Sequence, residues 1–102
     1  MKTITVEEVK DRIDSGEKLN IVDVREPYEN EEFNIGGKLI PLGNIQSMQL
    51  DDIEDLKDEE IIVYCRSGNR SGHACMILES AGFTNVKNLT GGMLKWRERF
   101  KG

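Results

Sequence analysis

Four consecutive apolar residues, Ile61-Ile62-Val63-Tyr64, run straight into Cys65-Arg66-Ser67-Gly68, and no other segment constrains the fold as tightly. A strand that is apolar at every position is covered on both faces, which is the condition of a central strand in a parallel sheet. Parallel neighbours are joined by right-handed crossovers about the length of a helix, so this segment predicts helices packed on both faces of a sheet.

The rest of the chain alternates accordingly. Residues 3–5 predict a short strand, and Thr5 with Glu8 forms a capping box for a helix whose Val6, Val9 and Ile13 share a face before Gly16 ends it. Residues 20–25 (NIVDVR) predict a second strand. Pro27 suits the first turn of a short helix with Tyr28 and Phe33, and Gly36-Gly37 then breaks the chain. Residues 39–42 predict a third strand. Residues 51–56 predict a weak helix or turn that packs Ile53 and Leu56 inward and leaves its acidic residues in water. After the apolar strand, Ala74, Ile77, Leu78 and Ala81 fall at i, i+3, i+4 and i+7, giving a helix with an apolar stripe that Gly82 stops. Residues 86–89 predict the fifth strand, and Gly91-Gly92 turns the chain into a last helix whose Met93, Leu94, Trp96 and Phe100 supply apolar surface. The expected fold is a three-layer α/β/α domain on a five-stranded parallel sheet. At 102 residues the chain suits one core, so residues 1–102 are expected to form a single domain.

A formal charge of -5 argues against nucleic acid or an anionic membrane as partner, and any anion site must be local. The first residues are acidic where a signal peptide would be apolar, and no run has the length of a membrane span, so a cytoplasmic location is expected. Cys65 and Cys75 match neither a disulfide framework nor a zinc spacing, and His73 is the only histidine, so both cysteines are expected as thiols with no metal and no cofactor.

Cys65 stands at the carboxyl end of the apolar strand, where open α/β sheets bind ligands, and the next helix turns its unpaired N–H groups towards it. A free cysteine has a pKa near ~8.5, which helix N-termini and nearby cations lower. Arg66 and Arg70 flank this one. Gly68 permits the positive dihedral that curls successive N–H groups into an anion nest, and Ser67, Asn69 and Ser71 offer further hydrogen bonds or cap a helix starting near Arg70. A buried free cysteine is ordinarily an inert core residue, but two arginines and a glycine loop are a poor setting for one.

With four residues between Cys65 and Arg70, the loop Cys65-Arg66-Ser67-Gly68-Asn69-Arg70-Ser71 resembles the active-site loop of the rhodanese family of sulfurtransferases. Asp23-Val24-Arg25 with Glu26 and Tyr28 behind it, Ile40-Pro41, and Gly91-Gly92 followed by Trp96 resemble further segments of that family, so the resemblance covers nearly the whole chain. The chain departs from the family's Gly-His-Ile-x-Gly-Ala stretch, carrying Glu32-Phe33-Asn34-Ile35-Gly36-Gly37 instead.

The resemblance implies that the Cys65 thiolate takes the outer sulfur of a donor such as thiosulfate as a persulfide, held by the N–H groups from Arg66 to Ser71. It then passes the sulfur to cyanide, a thiol or a protein cysteine, with ping-pong kinetics. Arg66 and Arg70 are the implied contacts for the donor's sulfonate, since a guanidinium grips two oxygens at once, with Ser67, Gly68, Asn69 and Ser71 completing the binding loop. Asp23 and Arg25 are implied to brace the loop in preference to contacting substrate directly, with Asp23 also able to pair with a loop arginine. Cys75 reads as core with only a weak case for persulfide relay, His73 as a surface or capping residue, and Trp96 as packing. Two competing readings stay open. One is a phosphatase or arsenate reductase of the same fold, whose loop is one residue longer. The other is a non-catalytic sulfur-trafficking or scaffold module, which often lacks the cysteine.

Overall fold

In the computed structural model, which describes residues 1–101, β4 (Glu60–Tyr64) is the middle strand of a five-stranded sheet. The order across the sheet is β1 (Lys2–Ile4), β5 (Asn85–Leu89), β4, β2 (Ile21–Asp23) and β3 (Lys38–Leu39), and every neighbouring pair is parallel. Along β4 the side chains alternate between two cores. Ile61, Val63 and Cys65 join Ala74, Cys75 and Leu78 of α4 (Asn69–Ser80), Ile45 of α3 (Leu42–Gln46), and Ile53 of a 3₁₀ turn (Asp51–Leu56). Ile62 and Tyr64 join Val6 and Val9 of α1 (Val6–Asp14) and Met93 and Trp96 of α5 (Gly92–Phe100) on the other face. The expected three layers are therefore present, and each fully buried Ile or Val contributes roughly 2 kcal/mol of apolar burial.

The structure moves several boundaries. Thr5 leaves the first strand at residue 4 because its hydroxyl accepts the Glu8 N–H at 3.1 Å and caps α1. The second strand ends at Asp23, and the chain departs into α2 (Pro27–Glu32). The third strand is confined to Lys38–Leu39 rather than residues 39–42. The N–H groups of Ile40 and Leu42 still bond to the Asp23 and Val24 carbonyls at 2.8 and 3.0 Å, but Pro41 has no N–H to continue the ladder and caps α3 instead. That short helix was not legible, because Leu42 and Ile45 are its only apolar residues. Of the apolar residues of the last helix, Leu94 is half exposed and lines a cleft. Among the described residues no helix is long and apolar enough to cross a membrane.

Candidate active site

The site is built where β4 gives way to α4. Gly68, at φ +107°, turns the chain into the helix in a left-handed conformation that a side chain would strain. The turn brings its N–H within 3.1 Å of the Cys65 Sγ, and the Ser71 Oγ lies 3.3 Å from the same sulfur. Cys65 is 1% exposed. Burial alone would push its thiol pKa up, but the Ser71 hydroxyl and the N–H groups of Ser71, Gly68 and Ser67 outweigh burial and hold it below the ordinary value. The groups that lower the Cys65 pKa are hydrogen-bond donors of the loop and helix start, where the sequence points to helix N–H groups and arginine charges together.

The Ser71 hydroxyl has one proton and two acceptors, because Asn88 Oδ1 on β5 stands 2.5 Å away, while Asn88 Nδ2 donates to the Gly68 carbonyl at 3.1 Å. Asn88 thus ties the loop's hinge and its donor to the neighbouring strand. Sequence reading missed it, since one asparagine in β5 has no signal of its own. Ser71→Ala is expected to slow alkylation of Cys65 at neutral pH about tenfold, the loss of a charge-assisted hydrogen bond of ~1.5 kcal/mol. The sign follows from the lowered pKa. Removing the donor raises it, so the deficit appears below the thiol's ordinary range and closes at high pH. A variant rate equal to wild type across the pH range would assign the stabilisation to the backbone alone.

Asp23 is fully buried and Arg25 nearly so, and they pair with each other at 2.8 and 2.9 Å, not with a loop arginine. Asp23 Oδ2 also accepts from the Tyr64 hydroxyl and Asn30 Nδ2, and Arg25 Nη2 donates to the Phe33 carbonyl at 2.6 Å. This network joins β2, β4, α2 and the segment after it. Burial first, and Asp23 second, push the Tyr64 phenol up to about 12, so it stays a neutral donor. Arg70 makes a two-pronged ion pair with Glu29 of α2, at 2.9 and 3.0 Å, whose guanidinium holds the Glu29 carboxyl down at about 2. Glu29 is the second residue the sequence did not reveal as part of the site, since 41 positions separate it from Arg70.

On the other side, α5 clamps the strand end. The N–H groups of Met93 and Leu94 donate to the carbonyls of Cys65 and Arg66, both at 2.9 Å. Beside the loop lies a cleft of about 200 Å³ lined by Arg66, Arg97, Arg25, Phe33, Met93 and Leu94, together with Glu29 and Glu32. Arg66, Ser67 and Asn69 are exposed. Burial pushes the Cys75 thiol up to about 12, and His73 is exposed on α4. The arrangement provides a buried cysteine with a lowered pKa, hydrogen-bonded at the base of a nest of N–H groups, next to a cleft that holds Arg66 and Arg97. It suits attack on an electrophilic centre that carries or develops negative charge.

A family model described as a Rhodanese-like domain matches residues 5–99. The putative sulfurtransferase YtwF of Bacillus subtilis is 37% identical over 103 residues, covering 99% of this chain and 95% of that protein. The probable adenylyltransferase/sulfurtransferase MoeZ of Mycobacterium tuberculosis is 37% identical over 101 residues, which are 97% of this chain but only a quarter (25%) of that longer protein. Among solved structures, a rhodanese-like domain protein from Staphylococcus aureus superposes with a TM-score of 0.82 at 33% identity, covering 94% of this chain and 91% of its own.

Proposed function

The chain belongs to the rhodanese-like sulfurtransferase family, and from that premise we propose that Cys65 accepts a sulfane sulfur from thiosulfate or a similar donor and passes it to a thiophilic acceptor. The observation that carries this reading is the convergence of the Ser71 hydroxyl and the Ser67, Gly68 and Ser71 N–H groups on one buried sulfur. In the first half-reaction the thiolate attacks the outer sulfur of thiosulfate, the Sγ–S bond forms, the S–S bond of the donor breaks, and sulfite leaves with the electron pair. The same donors then hold the persulfide anion, so the negative charge stays within one preorganised nest throughout. The acceptor, whether cyanide, a thiol or a protein cysteine, attacks the outer sulfur and returns the pair to Cys65. Four residues between Cys65 and Arg70 favour a sulfur-sized cradle over a phosphoryl-sized one, and two free thiols fit a reducing, cytoplasmic setting.

Arg66 is the donor's most accessible cation in this reading, because Arg70 reaches the donor only by exchanging its partner Glu29. Arg66→Ala is expected to raise the Michaelis constant for thiosulfate about tenfold, as loss of a two-pronged contact with a sulfonate would. An unchanged constant would place the anion contact elsewhere. The test of the function itself is intact mass after brief incubation with thiosulfate. Wild type should gain one sulfur atom and lose it on addition of cyanide. A protein that gains none from any sulfane donor yet hydrolyses an aryl phosphate is not a sulfurtransferase.

A further inference from the structure

Six arginines serve this chain, and four of them, Arg12, Arg25, Arg70 and Arg99, are neutralised by carboxylates at 2.5–3.1 Å. Among the described residues, the two without a carboxylate partner, Arg66 and Arg97, line the same cleft. The carboxylates of the lining are Glu29, which Arg70 neutralises, and Glu32, so two unpaired guanidinium groups stand against one further carboxylate and leave the cleft with an excess of positive charge. Arg97 is also held in position, its guanidinium lying 5.1 Å from the centre of the Phe33 ring, which leaves the donors at its edge free.

The two arginines come from different elements, Arg66 from the loop after β4 and Arg97 from α5. Arg66 directly follows the nucleophile, and its carbonyl is bound by the Leu94 N–H. Arg97 comes one helical turn after Leu94, roughly 4.5 Å further along α5. Arg66, next to Cys65 in the chain, is the contact assigned above to a donor as compact as thiosulfate. A group that engages Arg97 must be separated by several bonds from the sulfur reacting at Cys65. The apolar side chains of Phe33, Met93 and Leu94 line the same cleft. At about 200 Å³ the cleft is smaller than the roughly 300–1,000 Å³ typical of drug-sized ligands, which suits a small molecule.

We propose that Arg97 is a specificity residue of the second half-reaction, holding the carboxylate of a small anionic thiol while its sulfur attacks the persulfide. This rests on the sulfurtransferase reading above. The acceptor thiolate forms a bond to the outer sulfur, the Sγ–S bond breaks, the electron pair returns to Sγ, and a new persulfide leaves. No oxidant or reductant enters.

The test compares acceptors of similar size and different charge, 3-mercaptopropionate, 2-mercaptoethanol and cysteamine, at saturating thiosulfate. Arg97→Glu is expected to lower kcat/KM for 3-mercaptopropionate about tenfold relative to 2-mercaptoethanol, and to raise it for cysteamine. Arg97→Lys should recover most of the preference. Ratios between acceptors that do not change in Arg97→Glu overturn the assignment, as does an equal loss with all three thiols. Sulfur loading of the wild type by mass separates the two levels. A persulfide that forms but shows no charge discrimination removes the role of Arg97 alone, whereas no loading overturns both readings.

Discussion

Cys65→Ser should abolish sulfur transfer from thiosulfate to cyanide, lowering turnover by about 10⁴-fold or more, as loss of a covalent nucleophile does elsewhere. The serine would keep the shape of the site and its N–H nest, but its hydroxyl stays protonated near neutral pH and takes up no sulfur. Cys75 supplies the contrast. It is as buried as Cys65, yet no hydrogen bond to its sulfur offsets burial, and its thiol rises to about 12 while that of Cys65 falls. Cys75→Ala should therefore retain sulfur loading and lose only packing energy. Steady-state turnover of the two variants, with the mass of each after thiosulfate, decides the matter, and loading that survives Cys65→Ser but not Cys75→Ala would reverse the assignment. The depressed Cys65 pKa sets the pH window. Activity should persist below the usual thiol range and fall away only as pH drops through the folded-state value.

Gly92→Ala is expected to be the most destabilising single-methyl change near the site. Gly92 has φ +55°, and a Cβ there would lie 2.5 Å from the Cys65 carbonyl oxygen and 2.7 Å from that of Arg66. Both are backbone atoms already bound by α5, so neither side can yield without loosening the clamp. The left-handed conformation costs about 1–2 kcal/mol and overpacking about 1–3 kcal/mol more. For a domain of this size that total of roughly 3 kcal/mol lowers the melting temperature by about 15 °C. Gly36→Ala is the control, because Gly36 has φ +94° but open space around its missing Cβ, and so isolates the backbone cost. Melting temperatures of the two variants within a few degrees of each other would show that the carbonyls at Gly92 give way.

The central strand, the two-faced core and the thiolate loop were legible because each is encoded locally. The apolar run of β4, the stripe of α4 and the Cys-to-Arg loop are contiguous patterns, and contiguous patterns survive without tertiary knowledge. The short α3 was not, since Pro41 acts both as the end of a ladder and as a helix cap, and which role prevails depends on neighbours in β2.

By itself, then, the sequence determined that a buried parallel strand delivers Cys65 to the sheet's carboxyl edge, with Gly68 to turn the chain and a helix to receive it. Only the tertiary structure decided which groups lower the pKa of that cysteine and which cations are free. Asn88 on β5, Glu29 on α2 and Gly92 on α5 act on the loop from distant parts of the chain. The physical reason is one of range. The tendency to form a strand, turn or helix and to present an apolar face is written in near neighbours in sequence, whereas a side chain's charge and hydrogen-bond partners are set by which strands and helices the sheet places side by side.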